Sequence, residues 1–141
     1  MSNFAATIHV RDHCLCLHAQ RAARALARRF DTALRPLGLT SGQFSLLNAL
    51  NRPAPAPMAQ VATLLAMDRT TLTAALKVLE HRGLAMVTPA PQDRRARLLA
   101  LTDQGRALLA AALPVWRDTH AELEAPLGDP DALRAALRAL R

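Results

Sequence analysis

The sequence predicts a mainly α-helical fold carrying one small β-hairpin, and three observations support this. Ala and Leu supply 30 and 26 of the 141 residues, whereas Val plus Ile supply six and Tyr none. Good helix formers thus far outnumber the residues that suit a half-buried sheet. Apolar residues recur at helical spacing along most of the chain, and only Leu84 to Thr88 and Leu98 to Leu101 read as short strands. A chain of this length sets a prior of one domain that buries roughly two-thirds of its unfolded surface.

Each element has a local cause. From Leu15, the residues Ala19, Ala22, Leu26, Phe30, Ala33 and Leu37 form one stripe with Arg21, Arg24, Arg28 and Arg35 mostly off it. This spacing predicts a long amphipathic first helix that stops at Pro36 and Gly38. Thr40 and Gln43 form a capping box that starts a second helix running to about Asn51 and burying Phe44, Leu47 and Leu50. Pro53 to Pro57 reads as a stiff connector. Met58 to Ala66 gives a short third helix with Val61, Leu64 and Leu65 inward. Asp68 caps a fourth, placing a carboxylate at the positive end of the helix dipole. That helix turns Leu72, Ala75, Leu76 and Leu79 inward and stops at Gly83. The basic segment from Pro89 to Arg97 then joins the two strands as an exposed hairpin tip. Thr102 caps a fifth helix to about Leu123, expected to bend or break at Pro114, and Asp129 with Pro130 starts a last helix striped by Leu133, Ala136, Leu137 and Leu140.

Charge points to a polyanion. The chain has 18 basic against 11 acidic residues, a net charge of +7, and all the basic residues except Lys77 are Arg, whose fork suits phosphate and guanine. Phe4, Phe30, Phe44 and Trp116 are the only aromatic residues, too few to stack single-stranded bases, so duplex DNA is the expected partner. The longest uncharged stretch, Pro36 to Asn51, is broken by Gly, Ser, Gln and Asn, so no membrane-spanning helix is expected. Charged residues occupy the N-terminal region where a signal peptide would be apolar, so the chain is expected in the cytoplasm with its two cysteines unpaired.

A short helix, a tight turn at Met67-Asp68, a second helix with a polar outer face and a basic hairpin follow in the order of a winged helix-turn-helix. With the Leu face inward, Arg69, Thr70, Thr71, Thr73 and Lys77 lie towards the outer side, where Arg69 suits guanine, Thr methyls suit thymine and Lys77 suits a phosphate. Arg94, Arg95 and Arg97 give the hairpin the charge favoured in a narrow minor groove, with Asp93 expected to orient one of these arginines. Taken alone, the first set is equally the solvated face of any amphipathic helix, and the second is a soluble loop. The chain resembles the MarR family of bacterial transcriptional regulators. The resemblance covers about residues 12 to 125 and rests on Leu37-Gly38-Leu39-Thr40 with Gln43-Phe44, Met67 to Thr73, Leu79 to Leu84, Asp93 to Arg97, and Leu101 to Gly105. It implies a homodimer on palindromic operators, with dimerisation segments at 1–36 and 102–141 flanking a DNA-binding lobe at 37–101.

Three switches follow from the residues and the resemblance. Cys16 falls where an organic-peroxide-sensing subgroup of the family carries its reactive cysteine. Arg11, His13 and His18 stand near it in sequence and Cys14 lies two residues away, but the tyrosines of that subgroup are absent. The competing reading is that both cysteines are buried and inert. Cys14 and His18 share a helical face, but too few ligands join them for a metal site, and no cofactor is implied. Arg21, Arg24 and Arg28 are candidates to meet the carboxylate of a small aromatic or phenolic effector, which the resemblance implies, although arginines at such positions commonly face water. An enzyme would need a nucleophile with a base; Cys16 with His13 or His120 is the sole candidate pair and lacks a carboxylate, so no catalysis is expected. A constitutive architectural DNA-binding protein and a membrane-surface helical protein remain the alternatives to a regulator.

Overall fold

The computed structural model describes residues 3–141 and orders them as seven α-helices and three strands. Helix α1 spans Phe4–His13 and α2 spans Leu15–Leu34, followed by a single 3-10 turn at Arg35–Leu37. Helix α3 covers Ser41–Leu50, strand β1 Ala56–Pro57, α4 Met58–Leu65 and α5 Arg69–His81. Strands β2 (Ala85–Ala90) and β3 (Asp93–Leu101) precede α6 (Asp103–Glu124) and α7 (Pro130–Arg138). No helix among these residues is long and apolar enough to cross a membrane. Met1 and Ser2, the start of the expected segment 1–36, lie outside the described residues.

The core sits between the helix-turn-helix and the flanking helices. Leu34 of α2, Leu47 of α3, Leu72, Leu76 and Leu79 of α5, and Leu99 of β3 are all at most 1% exposed, so truncating any of them leaves a cavity costing about 2–5 kcal/mol. The capping box at α3 is present, with Thr40 Oγ1 accepting the Gln43 amide at 3.1 Å and Gln43 Oε1 accepting the Thr40 amide at 3.0 Å. The Asp31 carboxylate of α2 accepts the next amide, that of Ser41, at 2.6 Å. Gly38 and Gly83 close their helices at φ +70° and +74°, a left-handed conformation open to residues without a Cβ. Ala66 takes the same region at φ 52° in the turn between α4 and α5, at a strain of roughly 1–2 kcal/mol.

Five expectations are corrected. A separate helix, α1, precedes α2, because Cys14 is extended and caps the second helix. The Pro-rich connector ends in a strand. Ala56–Pro57 pairs antiparallel with Leu98 and Leu99, so the sheet has three strands in the order β1-β3-β2 rather than two. Strand β1 is an edge of this sheet, the position in which Pro, which lacks an N–H, is tolerated. The strands of the hairpin run longer than expected, leaving only Pro91 and Gln92 as its tip. Of the bend or break expected at Pro114, the break does not occur: α6 runs through it, with Leu109 and Ala112 buried on one side, and this packing holds the helix across one missing hydrogen bond. Leu64 is 54% exposed while Val61 is fully buried, so the apolar face of α4 is narrower than its sequence implies.

Helices α1 and α7 pack closely against no other element of their own chain. On α7, Leu133 and Leu137 are 46% and 51% exposed, and Leu140 beyond its end is 60% exposed. Helix α2 is covered only towards its C-terminal end, where Phe30 and Leu34 meet the core while Ala19, Ala22 and Leu26 are exposed.

Candidate nucleic-acid interface

Asp68 sets the start of α5. Its Oδ1 accepts the Thr71 amide at 2.8 Å and its Oδ2 accepts the Thr71 hydroxyl at 2.8 Å. The Thr71 amide, and then the Thr71 hydroxyl, hold the carboxyl below its ordinary value of 3.8. Thr71 therefore completes the cap, and its hydroxyl is not free to meet a base. Arg69, Thr70, Ala74 and Lys77 are exposed and share a shallow groove with half-buried Thr73 along the outer face of α5. The Thr73 hydroxyl donates to the Arg69 carbonyl at 2.8 Å, which leaves its methyl as the group to offer a base edge. The far end of α5 is held too: Arg82 Nη1 donates to Gln43 Oε1 at 3.4 Å, tying the end of this helix to the cap of α3.

The wing is a bulged hairpin. Its register jumps from Pro89 opposite Arg97 to Ala90 opposite Asp93, so Arg94, Arg95 and Ala96 have no counterparts on β2 and form a bulge on β3. Asp93 does not orient a guanidinium; its Oδ1 accepts the backbone amide of Arg95 at 2.9 Å. Arg97 Nη1 donates to the Arg94 carbonyl at 2.6 Å. Arg94 and Arg95 are exposed, and among the described residues neither guanidinium meets a carboxylate. Arg69 of α5 and Arg95 and Arg97 of the wing line one cleft of about 470 Å³, floored by Met58 and Ala62. Of the expected DNA-facing residues, Arg69 thus joins the α5 groove of Thr70, Thr73 and Lys77 to the wing cleft of Arg95 and Arg97, whereas Thr71 is committed to the cap, Arg97 is half-buried and Arg94 lines neither depression.

The switch candidates are placed less favourably. Neither cysteine is buried within the chain: Cys14 is half-buried as the cap of α2, accepting the Leu17 amide at 3.5 Å, and Cys16 is exposed beside Gln20. This corrects the reading of both as buried, because Cys16 lies on the uncovered N-terminal part of α2. Arg11 pairs with Asp12 at 2.7 Å, and the His13 and His18 rings bond the His9 and Cys14 carbonyls at 2.9 and 2.8 Å. Among the described residues, no three His, Cys, Asp or Glu side chains gather as metal ligands. Arg21, Arg24 and Arg28 do come together, with His18, along an open groove on α2.

A second cavity escaped the sequence reading. Phe44, Asn48, Leu64, Leu65, Leu113 and Trp116 line about 440 Å³ between α3, α4 and α6. Trp116 stacks between Phe44 and His120, with ring centroids at 6.4 and 4.6 Å, and His120 Nδ1 stands 3.0 Å from Glu124. The one signal in sequence was the helical spacing of Trp116, His120 and Glu124, which alone does not show which helix they meet.

The family model described as MarR family matches residues 37–96. The chain is 38% identical to the HTH-type transcriptional repressor NicR of Pseudomonas putida over 56% of its own length and 50% of that protein's. It is 34% identical to the transcriptional activatory protein BadR of Rhodopseudomonas palustris over 61% of its length and 51% of that protein's. The chain thus spans about half the length of these two relatives. Among solved structures, the transcriptional regulator MosR of M. tuberculosis, in complex with DNA, is 39% identical with a TM-score of 0.85, covering 91% of this chain and 93% of that one. The transcriptional repressor CouR, bound to a 23-mer DNA duplex, is 34% identical with a TM-score of 0.81, covering 93% and 94%.

Proposed function

The chain belongs to the MarR family, and on that premise we propose that it is a sequence-specific DNA-binding regulator that represses transcription as a homodimer on palindromic operators. One observation carries the reading: Arg69 of α5 lines both the groove it shares with Thr70, Thr73 and Lys77 and the cleft it shares with Arg95 and Arg97 of the wing. A helix and a hairpin so arranged meet a major groove and the adjacent minor groove together. That MosR and CouR were each solved with DNA supports the partner. Repression is the direction borne by the names NicR and CouR, whereas BadR is named an activator. Dimerisation by residues 1–36 and 102–141 around a lobe at 37–101 is supported by the uncovered stripes of α2 and α7.

Release by a small aromatic effector is supported by the apolar cavity beside Trp116, with the Arg21, Arg24 and Arg28 groove as the site for an acid. Oxidation of exposed Cys16 is the second route. The alternative, an architectural DNA-binding protein without a ligand, differs in selectivity. Sites selected from genomic fragments, then titrated with salt, test the reading. A shared palindrome with a steeply negative salt slope is expected, since each phosphate contact contributes about −0.9. Equal binding to all duplexes favours the architectural protein, and a slope near zero overturns DNA binding.

A further inference from the structure

We infer that Arg97 is a positioning residue of the wing, which holds the bulge that presents Arg94 and Arg95 and does not itself meet DNA. The inference rests on the DNA-binding reading above and goes beyond it by dividing the three wing arginines into two roles. Three observations support the division. Arg94, Arg95 and Ala96 have no partners on β2, because the register passes from Arg97 opposite Pro89 directly to Asp93 opposite Ala90. A three-residue bulge so made lacks the ladder hydrogen bonds that would fix its shape. Two side chains at its ends replace them. At the entry, the Asp93 carboxylate accepts the Arg95 amide at 2.9 Å. At the exit, the Arg97 guanidinium donates to the Arg94 carbonyl at 2.6 Å, with a weaker approach to the Ala96 carbonyl at 3.5 Å. A charge-assisted bond across the bulge closes it into a ring of fixed geometry.

Burial separates the arginines in the same way. Arg94 and Arg95 are exposed, whereas Arg97 is half-buried and lines, with Met58, Leu76 and Val87 and with Lys77 and Glu80 of α5, a cavity of about 290 Å³ between wing and helix. Its stem lines this cavity while its head turns back to the bulge. For Arg97 to reach a phosphate, it would have to give up the Arg94 carbonyl. Arg97 therefore acts on DNA through the bulge it closes, by where Arg94 and Arg95 stand.

A mutant cycle tests this, using a duplex recovered by the wild-type protein from a random-sequence pool. If Arg97 acts only through the bulge, Arg97→Ala weakens binding in the wild-type background but leaves affinity and salt slope unchanged in an Arg94→Ala/Arg95→Ala background. An equal loss in both backgrounds, with the slope falling by about 0.9 each time, makes Arg97 a phosphate contact and overturns the inference. A second arm needs no DNA. Amide hydrogen exchange at Arg94 to Ala96 in the free protein should quicken in Arg97→Ala while α5 and α6 keep their protection; unchanged exchange at the bulge overturns the inference even where wild type binds DNA. Wild-type protein that recovers no duplex refutes the underlying DNA-binding reading, and the exchange arm still decides the role of Arg97.

Discussion

The Thr102 hydroxyl donates to the Gly83 carbonyl at 2.7 Å and accepts the Gly105 amide at 3.0 Å. The first turn of α6 is thereby locked onto the residues that end α5, and the Thr102 amide adds a bond to the Leu84 carbonyl at 3.1 Å. A recognition helix held at both ends, by Thr102 here and by Asp68 at its start, has its orientation fixed before DNA arrives.

Gly105 is the tight point of this lock. A Cβ at this position would overlap the Leu84 carbonyl, which is main chain and held by the Thr102 amide. Gly105→Ala should therefore destabilise the fold by roughly 1–3 kcal/mol, the usual cost of overpacking, despite the gain in helix propensity of about 1 kcal/mol. Denaturant unfolding measures it; a variant as stable as wild type would show that the α5–α6 junction yields freely.

The capping of α5 should titrate. The folded-state value of Asp68 is depressed because the Thr71 amide and hydroxyl bond the charged carboxylate. With the unfolded value the higher of the two, the stabilisation is present above about pH 3.9 and is lost as pH falls through the folded value. Asp68→Asn keeps an acceptor for the Thr71 amide but does not titrate. The stability advantage of wild type over Asp68→Asn should thus hold from neutral pH to about pH 4 and shrink below it. A difference that is constant down to pH 2 would show that the charge at the cap adds nothing.

Much of this was legible because its causes are local. The Thr40–Gln43 box, the Asp68 cap, the Asp129–Pro130 start and the Gly83 stop are patterns spanning four residues or fewer, and each stands where the sequence puts it. What was missed depends on contacts distant in sequence. Ala56 and Pro57 form a strand only because Leu98 and Leu99 pass beside them. The wing bulge follows from pairing register, which a run of polar residues does not specify. The Arg82–Gln43 contact joins residues 39 apart, and the Phe44–Trp116 stack needs the fold before either ring has a neighbour.

The outer face of α5 should divide into base-reading and phosphate-holding residues. Arg69 stands at the first helical position, exposed, with the forked donors that fit guanine O6 and N7. Arg69→Ala should narrow the gap between selected and random duplex by roughly 1–3 kcal/mol. Lys77, two turns further on, should behave otherwise: Lys77→Ala should weaken binding to both duplexes alike and reduce the salt slope by about 1. Titrations of both variants at several salt concentrations separate the roles, and a uniform loss for Arg69→Ala would reassign it to the phosphates.

The last helix should decide whether two such faces are held together. Within the chain, α7 is fastened by Arg134, which pairs with Glu124 of α6 at 2.7 Å and with Asp131 at 2.6 Å. Exposed ion pairs of this kind contribute about 1 kcal/mol at most, too little to keep a short helix with an uncovered leucine stripe in place. Leu133, Leu137 and Leu140 therefore need a partner surface, and the uncovered stretch of α2 from Ala19 to Leu26 in a second copy offers one. Removing residues from Asp129 onward should give monomers that keep the cooperative unfolding of the lobe but lose most operator affinity, because each half-site then binds without the other's effective concentration. Sedimentation and DNA titration read the two effects separately. A truncated chain that still sediments as a dimer and binds the full operator with wild-type affinity would show that α7 covers nothing in the partner, leaving α1 and α2 to hold the two recognition helices in register.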